Sequence, residues 1–371
     1  MATSVQSTLP ARWQDREGWK VPGRVVYAGR AGGQVDPENP THAALLAQGV
    51  ELSVAPFTDA GGAVTPEVAD ADVIITGGLP LGAAEAAQLP KTRLVLRPYV
   101  GYDDIDVDAF TAQGILFANV PDAFSEEVAN HALCLLLAAN QQLLRSDRYV
   151  RSGEWEKRRG RPDWKPPIRR LSAETLGIVG FGVIARMVAR RAAPFGFRML
   201  AYDPYLTQED ATPYGVTLVS LEQLLAESDL VTVHTFLAAS TRHLINRERL
   251  LAMKPGAYLI NTARGPIVDE AALIDVLRQG HLGGAALDVT EVEPLTAGSP
   301  LIELENVILT PHMASASVEG GQTLRRRVAE IAGDVALGQL PERHVTVNRA
   351  LYDSVAAATG LSSVRQPPAP V

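Results

Sequence analysis

Residues 175–203, TLGIVGFGVIARMVARRAAPFGFRMLAYD, constrain the fold more than any other part of this chain. An apolar run, Leu176–Val179, predicts a buried parallel strand that leads into a turn with the sequence Gly180-Phe181-Gly182. Residues 183–192 then place apolar side chains at helical spacing, and a second apolar run ends at Asp203. A strand, a turn, a helix and a strand in this order are typical of a parallel α/β unit.

The turn and the acid also predict what this unit binds. The first glycine of such a turn permits the tight bend, and the second lets the backbone approach a pyrophosphate whose charge meets the helix N-terminus. Ala185 supplies the small third residue that close helix–strand packing needs, and Asp203 falls near the ~20-residue offset of an acid that binds the ribose of NAD. We therefore predict a dinucleotide site that begins with Gly180, Phe181, Gly182, Val183 and Ile184.

Asp203 further predicts which nicotinamide cofactor is bound. The 2′-phosphate of NADP would lie close to this carboxylate, and two like charges ~4 Å apart repel by about 4 kcal/mol at an effective dielectric constant of about 20. Pro204 and Tyr205 follow the acid, so no arginine stands directly behind it to offset the repulsion. The sequence therefore favours NAD.

Length and composition exclude several classes of protein. With 371 residues the chain can form two domains, and its net charge of -8 argues against a nucleic-acid or anionic-membrane surface. We expect no membrane helix, because no apolar run approaches ~18 residues, and no secretory signal, because no basic-then-apolar segment opens the chain. The single cysteine, Cys134, lies in an apolar helical stretch, so we expect a buried, inert thiol and a cytoplasmic protein.

Apolar strands alternate with helical segments in both halves of the chain. In the first half the predicted strands are Val25–Ala28, Glu51–Val54, Val73–Thr76, Arg93–Leu96 and Ile115–Ala118. After the two strands of residues 175–203, the second half continues with Leu230–Val233, Tyr258–Ile260, Ala285–Leu287 and Val307–Leu309. Such alternation predicts two doubly wound, mostly parallel sheets covered by helices.

Two segments outside these strands lead to further predictions. The segment after Pro121 predicts a long helix that is apolar on nearly every side from Ala132 to Ala139, so it is either deeply buried or packed against a second subunit. Residues 1–22 contain Trp13 and Trp19 among charges, which favours an N-terminal arm that packs on another part of the protein.

Reactive side chains follow three of the predicted strands. Arg264 follows one strand, Asp288 ends another with Glu293 five residues on, and His312 follows a third. Each of these residues alone is more often structural than catalytic. Because ligands of an open α/β sheet bind beyond the carboxyl ends of its strands, we expect the base, the carboxylate and the cation to meet there. We therefore predict that Arg264, Glu293 and His312 are catalytic.

Several long motifs stand in a fixed order along the chain: VGYDDID (100–106), NVPDAFSEEVANHAL (119–133), GFGVIA with Asp203, NTARGPIVDE (261–270), DVTEVEP (288–294) and TPH (310–312). In these motifs the chain resembles the D-isomer-specific 2-hydroxyacid dehydrogenase family, which includes phosphoglycerate dehydrogenases and the C-terminal-binding-protein corepressors. The resemblance extends from about residue 24 to 345.

The resemblance implies a division of the chain into domains. A Rossmann NAD-binding domain, residues 122–312, is expected within a flavodoxin-like substrate domain formed by residues 23–121 and 313–348, with a cleft at their junction. The long helix predicted after Pro121 is expected to help form a homodimer. Outside the two domains we expect the N-terminal arm, residues 1–22, and a mobile tail, residues 349–371, which is rich in Ala, Ser and Pro.

The resemblance also implies the roles of the site residues. His312 takes the hydroxyl proton during oxidation and returns it during reduction, Glu293 pairs with it, and Arg264 holds the substrate carboxylate and polarises the C2 oxygen. Hydride passes between C2 of a small anionic substrate and the nicotinamide, without a metal. The remaining implied cofactor contacts are His234, Thr235, Thr262, Ala263 and Asp288. The implied substrate contacts, besides Arg264 and His312, are Tyr99, Val100 and Gly101, with backbone amides forming a carboxylate nest.

The sequence departs from the family pattern at a few positions. Tyr99 stands where a small residue is common, and its phenol can shrink the pocket or add a hydrogen bond. Asn130 replaces a frequent acid, Phe236 replaces a frequent proline, and no tryptophan follows His312 as in the corepressors. These changes replace none of the predicted catalytic residues. They do not fix the identity of the substrate. A D-2-hydroxyacid is favoured, and the alternatives are another small anion (formate, phosphite or a phosphonate) or an NAD(H)-sensing regulator.

Overall fold

The computed structural model describes residues 11–14, 22–29, 39–158 and 167–365. The described residues form two compact units, which we call the first unit (within residues 1–124 and 317–370) and the second unit (within residues 125–316). The predicted domain boundaries lie after residues 121 and 312, and the division between the units lies after residues 124 and 316.

The first unit is built on a five-stranded parallel sheet. Its strands are Val25–Gly29 (β1), Leu52–Pro56 (β2), Val73–Gly77 (β3), Leu94–Leu96 (β4) and Leu116–Ala118 (β5). They are ordered β2-β1-β3-β4-β5, which is the flavodoxin-like order. All five predicted strands are present, with ends that differ by one or two residues.

Helices cover both faces of this sheet. They are Ala11–Gln14 (α1), Pro40–Leu46 (α2), Pro66–Ala69 (α3), Ala83–Ala86 (α4), Val107–Ala112 (α5) and, after the second unit, Val318–Ala336 (α14) and Arg349–Thr359 (α15). Side chains alternate between the two faces of each strand, so Val25 and Val73 pack with α14 while Val26 and Ile74 pack with Phe110 of α5. The apolar side chains of α14, among them Val328 and Ile331, therefore pack on the sheet of the first unit.

Both ends of the described chain pack on the first unit. Trp13 of α1 is 2% exposed, and its indole N–H donates a hydrogen bond of 2.8 Å to the Gly114 carbonyl oxygen. The prediction of a mobile tail from residue 349 is wrong for α15, because Tyr352 and Val355 of this helix are buried in the same apolar cluster. Trp19 and residues 366–371 lie outside the described residues.

The second unit is built on a seven-stranded parallel sheet. Its strands are Thr175–Val179 (β6), Arg198–Tyr202 (β7), Val216–Leu218 (β8), Leu230–Val233 (β9), Tyr258–Asn261 (β10), Gly284–Leu287 (β11) and Val307–Leu309 (β12). They are ordered β12-β11-β10-β9-β6-β7-β8, which is the Rossmann order with one further strand. The three-residue edge strand β8 was not predicted. The doubly wound parallel fold expected for both units is thus confirmed.

The helices of the second unit are Ser125–Asn140 (α6), Leu143–Arg151 (α7), Glu154–Arg158 (α8), Val183–Ala192 (α9), Gln208–Ala211 (α10), Leu221–Glu227 (α11), Arg247–Ala252 (α12) and Glu270–Arg278 (α13). Short 3₁₀ turns link several of them. α13 has a capped N-terminus, since the Asp269 carboxylate accepts a hydrogen bond from the Ala272 N–H, and Val268 and Leu273 on either side of the cap are both buried.

The helix predicted after Pro121, α6, packs across β9, β10, β11 and β12. Leu135 and Leu136 are buried against the sheet, but Cys134 is exposed, so the expectation of a buried thiol is wrong. The error arose because the apolar run gives no sign of which helix face meets the sheet. Within the described ranges, no helix is long and apolar enough to cross a membrane.

Candidate active site

The glycine turn after β6 is shaped by close backbone contact. Gly180 has a φ of +83°, and a Cβ atom placed on it would lie 2.8 Å from the Thr235 nitrogen and 3.0 Å from the His234 carbonyl carbon. A side chain at this position would therefore collide with the backbone that follows β9. The glycine is needed both for the left-handed φ and for this approach.

Gly182 has a different surrounding, because it forms the N-cap of α9. A Cβ atom placed on Gly182 would meet no atom within 4 Å among the residues that the structure describes, and Val183 beside it is exposed. The N-terminus of α9 is thus accessible beside Gly182 and Val183, where the helix dipole favours an anion. This geometry fits a pyrophosphate.

Asp203 follows β7 and binds the same turn. Its Oδ2 accepts a hydrogen bond of 2.9 Å from the Phe181 N–H, and its Oδ1 accepts one of 3.0 Å from the Tyr205 N–H. The Phe181 ring is buried edge-on to Tyr214, and Ile184 packs against apolar residues of α6. Phe181 and Ile184 therefore support the turn from the protein interior. The acid lies at the strand end where a ribose is expected.

Polar groups at the ends of β9 and β10 lie along the same sheet edge. His234 Nε2 is 2.9 Å from Thr232 Oγ1, and burial lowers the pKa of His234 to about 4, so its ring is neutral at neutral pH. Thr262 Oγ1 is buried and has no hydrogen-bond partner among the described residues. Because buried hydroxyls are normally satisfied, this orphaned oxygen fits contact with a ligand.

His312 and Glu293 form a hydrogen-bonded pair, with Nδ1 and Oε2 2.7 Å apart. The bond to Glu293 raises the pKa of His312 above its usual value, against burial and the charge of Arg264. Burial acts to raise the pKa of Glu293, but hydrogen bonds from His312 and the Thr290 N–H hold it below its usual value. The structure thus places the predicted base and carboxylate together, with an imidazolium favoured.

Arg264 stands on a turn that closes over the end of β10. The Asn261 side chain accepts a hydrogen bond from the Ala263 N–H and donates one to the Arg264 carbonyl oxygen, which fixes the backbone of the turn. The charge of Arg264 acts on the pKa of both His312 and Glu293. All three predicted catalytic residues therefore belong to one electrostatically coupled group within the second unit.

Tyr99, Val100 and Gly101 follow β4 in the first unit. The Tyr99 side chain is 45% exposed, and its ring centroid lies 5.7 Å from the guanidinium carbon of Arg97. The Arg97 guanidinium in turn donates hydrogen bonds of 2.9 and 2.8 Å to the two carboxylate oxygens of Asp104. The positive charge beneath Tyr99 is thus already paired with an acid.

His131 was not predicted as a site residue, and Asp288 was predicted only as a cofactor contact. His131 of α6 contacts Thr310 Oγ1, and the carboxylate of Asp288 also binds the loop that carries His312. A lone imidazole in an apolar helix was the available signal for His131. Among the described residues, no group of three or more His, Cys, Asp or Glu side chains could hold a metal ion.

Comparisons with known proteins identify the family of the chain. The model of the "D-isomer specific 2-hydroxyacid dehydrogenase, NAD binding domain" family matches residues 133–314. The glyoxylate reductase of Korarchaeum cryptofilum is 42% identical over 265 residues, which are 71% of this chain and 78% of that protein. The D-3-phosphoglycerate dehydrogenase of Mycobacterium leprae is 40% identical over 268 residues, which are 72% of this chain, and the chain spans 49% of that longer protein.

A solved structure gives the same result for the fold. The NADPH-dependent glyoxylate/hydroxypyruvate reductase of Sinorhizobium meliloti, in complex with NADP and malonate, has a TM-score of 0.74 and 30% identity. This similarity covers 88% of the present chain and 97% of that one.

Proposed function

Since the chain belongs to the D-isomer-specific 2-hydroxyacid dehydrogenase family and is a nicotinamide-dependent dehydrogenase, we propose that it transfers a hydride between NAD and C2 of a small D-2-hydroxyacid or 2-oxoacid. The observation that carries this proposal is the 2.7 Å hydrogen bond between His312 Nδ1 and Glu293 Oε2, with the charge of Arg264 acting on both. A base, its carboxylate partner and a cation are what this reaction requires of the protein.

In this proposal His312 exchanges the proton. Its Nδ1 is engaged by Glu293, so Nε2 is the ring nitrogen that meets the C2 oxygen of the substrate. During reduction of a 2-oxoacid the imidazolium donates its proton to this oxygen, and during oxidation the neutral imidazole accepts the hydroxyl proton. Glu293 stabilises the imidazolium, and the raised pKa of His312 keeps a proton available toward neutral pH.

Arg264 is the proposed anchor for the substrate carboxylate. A guanidinium binds a carboxylate through two parallel hydrogen bonds, and a positive charge close to the C2 oxygen favours the charge that develops there during hydride transfer. The turn held by Asn261 limits the backbone freedom of Arg264, which supports this role. We retain Tyr99, Val100 and Gly101 as further substrate-binding residues on the basis of their family motif.

NAD is the proposed cofactor. Gly180, Gly182 and the N-terminus of α9 would hold the pyrophosphate, Asp203 would bind the ribose hydroxyls, and Thr262 Oγ1 would gain the partner that it lacks. The other proposed contacts are Phe181, Val183, Ile184, His234, Thr235, Ala263 and Asp288. When bound, the nicotinamide supplies or accepts the hydride. The charge of Asp203 supports NAD over NADP, although a relative of this fold holds NADP.

A turnover assay tests the proposed reaction. The purified protein is given NADH with glyoxylate, hydroxypyruvate, pyruvate and longer 2-oxoacids, and NAD with formate and phosphite. We expect NADH oxidation with at least one 2-oxoacid, reduced roughly 10²–10⁴-fold in His312→Gln. His281→Gln is the matched control, because the described hydrogen bond of the His281 side chain is to the backbone oxygen of Met253, away from the predicted catalytic residues. Turnover of formate or phosphite alone would reassign the substrate, and NADH binding without any turnover would favour a regulator.

We also propose that the chain forms a homodimer through the region of α6, α7 and α8. α7 has no buried residue, and Leu143, Leu144 and Val150 on it are exposed, as is Trp155 of α8. Several large apolar side chains exposed on adjacent helices are typical of an interaction surface. Light scattering should give a dimer mass for the wild type and a monomer mass for Leu143→Asp. Leu251→Asp, an exposed leucine on α12, should remain dimeric. A monomeric wild type would contradict the proposal.

A further inference from the structure

The loop that carries the catalytic histidine, residues 310–314, wraps around the carboxylate of Asp288. The Thr310 hydroxyl donates to Oδ1 at 2.5 Å, the Met313 N–H donates to Oδ1 at 2.9 Å, and the Ala314 N–H donates to Oδ2 at 2.9 Å. Asp288 is 1% exposed. A buried carboxylate needs such donors, so the loop and the acid hold each other in place.

His312 depends on this arrangement for its backbone conformation. Its φ is +50°, a left-handed value that residues other than glycine rarely adopt. The His312 N–H donates a hydrogen bond of 2.8 Å to the Asp288 carbonyl oxygen. Uncommon backbone conformations persist only where the surroundings hold them, and here Asp288 binds the loop through both its backbone and its side chain.

His131 extends this network to helix α6. Its Nε2 lies 3.1 Å from Thr310 Oγ1 and 3.4 Å from Asp288 Oδ1. The Thr310 hydroxyl has one proton, and it donates that proton to Asp288, because an ionised carboxylate only accepts. His131 must therefore donate from Nε2 to Thr310 Oγ1, so its ring carries a proton on Nε2.

We propose that His131 and Thr310 are positioning residues for the dehydrogenase reaction, and that the chain His131 Nε2–H, Thr310 hydroxyl and Asp288 carboxylate holds His312 against Glu293. This inference rests on the proposed function, because it assigns the network to the same reaction. Neither residue touches the reacting atoms in this scheme. α6, packed across the sheet, supplies the fixed end of the chain of hydrogen bonds.

Paired substitutions separate positioning from folding. Thr310→Val keeps the shape and removes the hydroxyl, and His131→Leu removes the donor. We expect kcat to fall roughly 10–100-fold in Thr310→Val and about 10-fold in His131→Leu, since small displacements of catalytic groups have effects of this size. KM for the 2-oxoacid and Kd for NADH should change by less than about threefold, because uniform binding is retained.

Conservative variants test whether the lost kcat can be recovered. Thr310→Ser retains the hydroxyl and His131→Gln retains a side-chain N–H, so each should recover most of kcat. The double variant His131→Leu/Thr310→Val should be no slower than Thr310→Val alone, because His131 acts through the hydroxyl. Thr346→Val is the control in the first unit, where a buried hydroxyl binds the Glu342 carbonyl oxygen, and its kcat should equal that of the wild type.

A second readout does not need turnover. The pKa of His312, followed by NMR and assigned by its loss in His312→Gln, should fall in Thr310→Val and in His131→Leu and return in Thr310→Ser. Equal losses in Thr310→Val and Thr310→Ser, or kcat and pKa unchanged in Thr310→Val, would overturn the proposed positioning. If the wild type turned over no 2-oxoacid while the pKa of His312 behaved as expected, the proposed reaction would fail and the positioning network would stand.

Discussion

His312 Nδ1 lies 2.7 Å from Glu293 Oε2, although the two residues follow different strands. Glu293 is reached five residues after Asp288 at the end of β11, and His312 follows β12. These two strands are parallel neighbours, so the chain leaves both at the same edge of the sheet. Their side chains can meet without a long excursion of either loop, and this explains why an ion pair with a raised histidine pKa forms at this edge.

Replacing Glu293 by Gln should move the pH dependence of the reaction. Reduction needs His312 protonated, so its rate declines as pH rises through the His312 pKa, and oxidation declines as pH drops through it. Glu293→Gln removes the charge that raises this pKa, so both limbs should move to lower pH. The rate at the optimum should also fall within the roughly 10²–10⁴ range of general acid–base catalysis.

The control for this experiment is Glu291→Gln, because Glu291 lies on the same loop and pairs with a different histidine, His243, at 2.7 Å. Its limbs should coincide with those of the wild type. Profiles for Glu293→Gln that do not move would show that the pair does not set the proton affinity of the reaction.

The fold could be predicted where sequence periodicity decides it. The runs that became β1, β3, β6 and β9 are apolar except for Thr76 and Thr232, as expected of strands covered on both faces, and their ends were found with an error of at most one residue. α15 could not be predicted in this way. Its alanine-rich sequence is also compatible with disorder, and burial of Tyr352 and Val355 on the first unit decides in favour of a helix.

In the site, too, some contacts could be predicted from the sequence and others could not. The meeting of Glu293 with His312 could be predicted because each has reactive chemistry and each follows a strand of the same parallel sheet. The contact of His131 with Thr310 could not, because the two residues are 179 positions apart and meet only when α6 packs on the sheet. The pairing of Arg97 with Asp104, seven positions apart, depends likewise on the path of the loop after β4.

Asp203 should set the choice between the two nicotinamide cofactors. Asp203→Ala removes the repulsion of a 2′-phosphate, so the preference for NADH over NADPH should narrow by roughly tenfold or more, a decade being ~1.4 kcal/mol. The variant also loses the acceptor of the Phe181 and Tyr205 N–H groups, so binding of both cofactors should weaken. The ratio of the two kcat/KM values is therefore the relevant measurement.

The companion variant Asp203→Asn removes the charge and keeps one of the two acceptor oxygens. It should narrow the preference as much as Asp203→Ala while binding NADH more tightly than that variant. A preference ratio that stays at the wild-type value in both variants would show that another group discriminates between the cofactors.

Tyr99 should limit which 2-oxoacids are accepted. Tyr99→Gly removes an exposed ring that rests on the Arg97 guanidinium, so the order of kcat/KM across 2-oxoacids of increasing chain length should change in favour of longer ones. Tyr99→Phe keeps the ring, removes the hydroxyl and should preserve the wild-type order if size is decisive. An equal proportional loss for every substrate in Tyr99→Gly would mean that the residue acts on folding instead of the pocket.

Gly265 should prove necessary because it lets two loops of the site approach each other. A Cβ atom on Gly265 would lie 1.9 Å from the Thr290 carbonyl oxygen and 2.5 Å from the Glu291 nitrogen, and backbone atoms cannot yield as a flexible side chain can. Gly265→Ala should therefore push the loop that carries Glu293 away from Arg264 and lower the free energy of unfolding by about 1–3 kcal/mol. Thermal unfolding and kcat are the measurements, and kcat should fall with the stability. Gly298→Ala is the matched control, since its Cβ would meet no described atom within 4 Å, and its unfolding free energy should stay within about 0.5 kcal/mol of the wild type. If both variants behaved alike, the close approach at Gly265 would not be what holds the two loops in place.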